Sequence, residues 1–398
     1  MRLAHGLHLA YCTNIHRGET WDETFRALRD YTLAVRDRVG SGRPFAIGLR
    51  LGADAARELS SPEVMLGFRR WLDRENCYVF TINGFPYGRF HGVRVKEHVY
   101  APDWTTAERL EYTSQLFDIL GELVPRGGEG SVSTVPCSYK EFINGDEQVE
   151  AMCANLDRCA EHIERVSERT GVDLHLGLEP EPLCYLETTA ETVKFFDRLR
   201  EGARNAATLN HRIGVNYDAC HLAVEYESAK EALGRLRSAG IRVSKLHLSS
   251  ALKARPTLAV REALRSFVDP VYFHQVVERR DGCEGLRRIR DLDMALAEAD
   301  GRPEAWSDEA VRGKEWRIHF HVPLHCEPTE VWSTTSDHLQ EVLDVLALEP
   351  GMCRHLEMET YTWEVMPGAM KNRDVVTQLV GEYEWTLKEL GRRGLGLE

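Results

Sequence analysis

Eight short apolar runs, each followed by an amphipathic stretch, constrain this chain more than any other feature. They fall at residues 7–12, 45–51, 78–82, 131–135, 174–178, 213–217, 243–248 and 353–358. The segments between them carry apolar residues at helical spacing. "ETWDETFRALRDYTLAVRDRV" puts Trp21, Phe25, Leu28 and Tyr31 on one face; "TTAERLEYTSQLFDILGELV" does the same with Leu110, Leu116, Phe117 and Leu120. Eight strand–helix units are what an α/β fold of the (β/α)8 TIM-barrel type requires. An open doubly wound sheet gives the same alternation. However, no G-x-G-x-x-G follows the first strand and no phosphate loop occurs elsewhere, so the barrel is the better reading and no nucleotide cofactor is expected.

One interval breaks the rhythm. Between the strands at 243–248 and 353–358 lies a stretch long enough for an extra subdomain. Within it, "VYFHQVVERRDGCEGLRRIRDL" reads as a β-hairpin turning at 281–285, followed by a strand in "WRIHFHVPLH" and a helix at 336–346. If that helix is the seventh of the barrel, residues 249–335 form an insertion between strand seven and helix seven. Such loops emerge at the C-terminal face of a barrel, where active sites are built. The insertion is therefore expected to act as a lid within a single domain of 398 residues. The alternative, in which "RIHFHVPL" is itself a barrel strand, stays open.

Composition narrows the function classes. With 43% hydrophobic residues the chain can bury a substantial core. Its 50 Lys and Arg against 63 Asp and Glu, a net charge of −13, disfavour a nucleic-acid or anionic-membrane surface. No apolar run is long enough for a membrane span, and the opening "MRLAHGLHLAYCTN" reads as a first strand rather than a signal peptide. Ten cysteines without a C-x-x-C pair suggest reduced thiols in a cytoplasmic protein.

The chemistry gathers at the ends of the last four strands. "LHLGLEPEPLCY" ends a strand in Glu179 and Glu181, "IGVNYDACH" ends in Asp218 with His221 three residues on, "VSKLHLSS" carries Lys245 and His247, and "RHLEMETYTW" carries Glu357 and Glu359. Each has an ordinary explanation: a solvated loop carboxylate, a hydrogen-bonded core histidine, a helix cap at Asp218, an ion pair at Lys245. Their joint occurrence, one set per consecutive strand end, favours a shared site, because such residues converge on one pocket in a barrel. Mixed oxygen and nitrogen donors suit a divalent metal: Mn²⁺, Co²⁺, Zn²⁺ or Mg²⁺. Residues two apart share a strand face, so spacing separates neither Glu179 from Glu181 nor Glu357 from Glu359.

The set "GLEPEP", "YDACH", "KLHLSS" and "LEMET" resembles the xylose-isomerase-like TIM-barrel superfamily of sugar isomerases and epimerases. The resemblance implies that Glu179, Asp218, His247 and Glu359 bind the metal and that His221 touches substrate. It favours Glu179 and Glu359 over their neighbours. Glu179, Glu359 and His221 become the catalytic candidates, with His16, Asn83, Glu181, Lys245 and Trp363 as substrate contacts. The opening "LAYCTNIHRGETWDE", the "LEPEP" element and the long insertion further resemble the EboE family of metabolite traffic proteins.

These implications point to a metal-dependent isomerase or epimerase that transfers a proton through a metal-bound enediolate. The expected partner is a small polyhydroxylated ketone: a ketose, a ketose phosphate or a keto-cyclitol of a natural-product pathway. A homo-oligomer is compatible with this. A non-catalytic metabolite carrier and a hydrolase of the endonuclease IV type are the rival readings. His319 and His321 share a strand face and offer an additional metal site or a lid contact; Arg287, Arg288 and Arg290 would grip a phosphate or guard a sheet edge.

Overall fold

The computed structural model describes residues 1–398 apart from Ser41, Val93, Ala369 and Asn372. All eight expected strands form: Leu7–Tyr11, Phe45–Arg50, Cys77–Asn83, Glu129–Thr134, Asp173–Leu178, Ile213–Asp218, Val243–Leu248 and His355–Met358. They are called the first to eighth barrel strands below. Strands two to eight pair in sequence order, all parallel, and the eighth pairs with the first. A single parallel bridge between Cys12 and Gly48 joins the first strand to the second. The result is a nearly closed TIM barrel wrapped by helices, with Arg2–Leu3 added antiparallel to the first strand.

The period of two in each strand divides two environments. Along the fifth strand, Leu174 packs outward against Leu120 and Gly121 of the helix Ala107–Leu123. His175 instead points inward, where it meets Glu129 at 3.0 Å and stacks beside His355. The apolar layer between strands and helices holds Leu116, Phe117, Leu120, Leu156, Ile163, Leu199 and Leu343, all buried. The barrel interior is polar where most such barrels carry branched aliphatic side chains. Lys245 pairs with Glu357 at 2.7 Å, and His355 with Ser131 at 2.8 Å. Buried polar groups must be paired in this way to offset their lost hydration.

Gly48 fits this crowded interior because it has no side chain. A Cβ there would sit 2.1 Å from Oε1 of Glu357 and 2.6 Å from the Tyr11 carbonyl oxygen. The glycine leaves room for a carboxylate that crosses the barrel from the eighth strand.

The first helical stretch departs from its expected pattern. It runs as an α-helix over Trp21–Ala27, a π turn over Leu28–Thr32, and an α-helix over Leu33–Val39. The wider turn shifts the phase of the residues after it. Trp21 and Leu28 are buried as expected, but Tyr31 is 41% exposed and stacks on His16 with ring centroids 4.6 Å apart. In Ala107–Leu123, Leu116, Phe117 and Leu120 are buried and Leu110 is half-buried.

The long interval builds an antiparallel sheet of five strands. Their order is Arg287–Ile289, Val276–Arg280, Lys314–Ile318, Leu252–Ala254 and Ser333–Thr334. Lys314–Ile318 pairs with Leu252–Ala254 and Val276–Arg280, so "RIHFHVPL" is not a barrel strand. A small core of Val276, Ile289, Leu292, Leu296, Trp316, Ile318 and Phe320 covers one face of this sheet. Helix Ser336–Leu348 then leads to the eighth strand. The three arginines of the edge hairpin are paired with carboxylates: Arg287 with Glu298, Arg288 with Glu187 and Glu225, Arg290 with Glu97 and Glu141. All ten cysteines are free thiols. Among the described residues, no helix is long and apolar enough to cross a membrane.

Candidate metal centre

Four strand ends bring Glu179, Asp218, His247 and Glu359 together. All four are buried, and one donor atom from each lies within 4.8 Å of the others. At the centre is Nδ1 of His247, 3.2 Å from Oε1 of Glu179, 3.3 Å from Oδ2 of Asp218 and 3.1 Å from Oε2 of Glu359. One N–H cannot satisfy three carboxylates, and Asp218 Oδ2 has no hydrogen-bond partner. Burial alone would lower the His247 pKa, yet Glu359 and Glu179 hold it well above the usual value. A proton on the imidazole thus supplies the positive charge that the three carboxylates require. A divalent cation at the same point meets that requirement with more charge and more bonds, so the donor set fits one.

The surrounding residues orient the four. Nε2 of His247 donates to Oε2 of Glu357 at 2.9 Å, which turns Nδ1 toward the carboxylates. Burial pushes the Glu357 carboxyl up, but Lys245 and His247 outweigh it and hold it down at about 2. Asn216 donates to Glu179 at 2.7 Å, and Asn14 and Asn83 donate to Glu359 at 2.8 and 3.2 Å. Asp218 does two jobs with two oxygens. Its Oδ1 accepts from the backbone N–H of His221 at 3.0 Å, capping the helix Ala219–Val224, and from Ser249 at 2.7 Å. Its Oδ2 faces the quartet.

A cavity of about 50 Å³ opens beside the quartet. Asn83, Glu179, Glu181, His221, His319 and Glu359 supply its polar wall; Phe85, Phe90, Tyr100, Tyr272, Phe273 and Tyr361 supply an aromatic one. Burial pushes the Glu181 carboxyl up to about 8, so at neutral pH it holds its proton. Tyr100 donates to Glu181 at 2.6 Å and Gln275 at 3.3 Å. Lys96 lines the same cavity and pairs with Asp291 of the insertion.

The expected residues divide between places. Asn83, Glu181 and His221 line the cavity with Glu179 and Glu359, as does His319. His321 lies 3.4 Å from His221, nitrogen to nitrogen. His16 and Trp363 line a broader groove outside, together with Tyr87. Lys245 spends its ammonium on Glu357 within the barrel. His325 lies apart from the other histidines, against Gly381.

Asn14, Asn216, Ser249, Tyr100 and Gln275 were not singled out from the sequence. Asn216 was within reach of that reading, since it precedes Asp218 by two on the same strand face. Tyr100 and Gln275 carried no local signal, because they arrive from a loop and from the insertion.

No family model matches the chain, and no curated protein matches it. Among solved structures it is similar to a xylose isomerase-like TIM barrel protein from Mycobacterium smegmatis in complex with magnesium, at 13% identity over 99% of each chain and a TM-score of 0.54. It is also similar to an L-ribulose 3-epimerase (13% identity, 99% of this chain and 96% of that one, TM-score 0.48) and to a D-tagatose 3-epimerase-like protein (12%, 97% of each, 0.49). The Mycobacterium smegmatis match shows the fold, a parallel (β/α)8 barrel wrapped by helices.

Proposed function

We propose that this chain is a divalent-metal-dependent isomerase or epimerase acting on a small polyhydroxylated ketone. The observation that carries the reading is the convergence of Glu179, Asp218, His247 and Glu359 on one point. A cation held by the four would act as a Lewis acid, polarising a substrate carbonyl and easing loss of the neighbouring proton.

The chain's own groups would do the rest. Glu179 and Glu359 come from the fifth and eighth strands, three places apart around the ring, and so approach a substrate from different sides. One carboxylate would take the proton from the carbon next to the carbonyl. The other would return one from the opposite side. Glu181 would donate its proton to a substrate oxygen, and Asn83 and His221 would hold hydroxyls. The aromatic wall excludes water, which strengthens each of these contacts.

The cavity is too small for a six-carbon sugar as it stands. We take residues 249–335 as a lid, because Tyr272 and Phe273 of this stretch line the cavity together with Lys96 and Tyr100. Opening there would admit substrate. The likeness of the chain's opening and "LEPEP" element to the EboE family adds keto-cyclitols to the ketoses and ketose phosphates worth testing.

Solvent deuterium exchange into a panel of such ketones, with Mn²⁺ or Co²⁺ supplied, tests the reading. Exchange that requires metal and disappears in Glu179→Gln and Glu359→Gln is expected. Failure of the whole panel to exchange, with metal bound, would overturn it.

A further inference from the structure

We propose that the groove holding His16, Tyr31 and Trp363 is the substrate's way in, and that Phe90, Tyr272 and Tyr361 form an aromatic gate between it and the cavity beside the quartet. This rests on the reading of that cavity as the place where a ketone meets the quartet.

The two spaces lie back to back. The groove holds about 790 Å³, and Arg17, Arg26 and Tyr31 on its rim are exposed. The cavity holds about 50 Å³. Three chain segments pass from one space to the other within two residues: Asn14 lines the cavity and His16 the groove, Phe90 the cavity and His91 the groove, Tyr361 the cavity and Trp363 the groove. Tyr272 in the cavity wall bonds His91 in the groove wall, so the partition is a single layer of side chains.

That layer is made of rings. The centroids of Phe90 and Tyr272 lie 5.1 Å apart, those of Phe90 and Tyr361 5.5 Å, and those of Tyr272 and Tyr361 5.3 Å. All three pairs are tilted or edge-on, as rings prefer. None of the three residues stands on a strand. Phe90 precedes the turn Lys96–Tyr100, Tyr272 lies between Phe267 and Val276 of the insertion, and Tyr361 opens the turn Tyr361–Val365. Segments outside the strand ladder open at less cost than the sheet itself.

One hydrogen bond latches the rings. Nε2 of His91 lies 2.7 Å from the Asn14 carbonyl oxygen, which only accepts, so Nε2 carries the proton. Burial lowers the His91 pKa, and the neutral ring then accepts from the Tyr272 hydroxyl through Nδ1 at 2.8 Å. Among the described residues, no other side-chain hydrogen bond reaches the three rings. Swinging Tyr272 aside breaks that bond and two ring contacts, and it merges the cavity with the groove. The route also accounts for His16 and Trp363, which would meet the ketone on its way in rather than at the quartet.

Access can be read without activity and without metal. Diethyl pyrocarbonate acylates neutral imidazoles, and His221 and His319 line the cavity. Metal-free protein is treated with it at neutral pH, and peptide mass spectrometry follows each histidine. In the wild type, His221 and His319 are expected to label far more slowly than the exposed His5. Phe90→Ala removes two ring contacts and is expected to speed both by about tenfold. Tyr272→Phe keeps the ring and loses only the latch, and is expected to speed them by about fivefold. Phe273→Ala removes a cavity ring that stacks on Tyr139 and is expected to leave the rates unchanged. Circular dichroism and a melting curve accompany each variant, and Tyr272→Phe decides if Phe90→Ala does not fold. Wild-type labelling as fast as at His5, wild-type rates in Tyr272→Phe, or equal acceleration by Phe273→Ala each overturn the inference. Mn²⁺ binding is measured separately by calorimetry: a chain that binds no ion fails the quartet reading, and the labelling still decides the gate.

Discussion

Glu357 accepts a hydrogen bond from Nε2 of His247 at 2.9 Å while pairing with Lys245 at 2.7 Å, both wholly inside the barrel. The arrangement fixes which imidazole nitrogen faces the three carboxylates. It also makes Glu357, whose strand position matches that of Glu359, a residue that positions His247 while Glu359 joins the quartet.

Glu357→Gln therefore has two separable effects. It strands the Lys245 ammonium in the interior, which is expected to cost about 3–5 kcal/mol of stability in denaturant unfolding. It also frees the His247 ring, lowering cation affinity by about 10–100-fold in calorimetry. Adding Lys245→Met is expected to restore most of the stability and none of the affinity. Recovery of both together would contradict the positioning role.

Three carboxylates around one imidazole repel each other until a cation arrives. Glu179→Gln is expected to raise the melting temperature of the metal-free protein and to abolish the further rise when Mn²⁺ or Zn²⁺ fills the quartet. For the wild type, an ion at a hundred times its Kd adds about 2.7 kcal/mol. A variant less stable than wild type without metal, yet still stabilised by it as wild type is, would show that the quartet does not bind a cation through Glu179.

Asp218 uses one oxygen to cap a helix and turns the other toward the quartet. Asp218→Asn keeps an acceptor for the His221 N–H and is expected to fold with near wild-type stability while losing cation affinity. Asp218→Ala is expected to lose affinity equally and a further ~1 kcal/mol or so from the missing cap. Equal stability of the two variants would remove the capping role.

Glu382, on the C-terminal helix Val375–Arg392, offers a pH test away from the quartet. Burial pushes its carboxyl up to about 7, against the contacts from Thr360 and the Leu324 N–H. Between about 4.5 and 7 the folded chain therefore holds a proton that the unfolded chain has lost. Stability falls through that window as pH rises and levels off above it. Glu382→Gln, which keeps an oxygen to accept both contacts, is expected to flatten this decline and to exceed wild type at pH 8 by about 1–3 kcal/mol. An unchanged pH profile would place the titration elsewhere.

The sequence by itself determined the barrel and the positions that could carry the quartet. Both rest on local periodicity: leucines alternate with His175, Gly177 and Glu179, so the strand's two faces are legible without its neighbours. The same period of two could not choose between Glu179 and Glu181, or between Glu357 and Glu359, because each pair shares a face. Only the tertiary structure placed Glu181 against Tyr100 and Gln275, and Glu357 against Lys245 and Gly48. Those partners come from a loop, the insertion and two other strands, and no local pattern encodes which distant residue will stand opposite a given carboxylate. Tyr31 shows the same limit on a smaller scale, since the π turn Leu28–Thr32 that contains it shifted the helical phase that its spacing implied. The meeting of His221 with His321 was likewise a matter of fold: their spacing along the chain says nothing of the 3.4 Å between them.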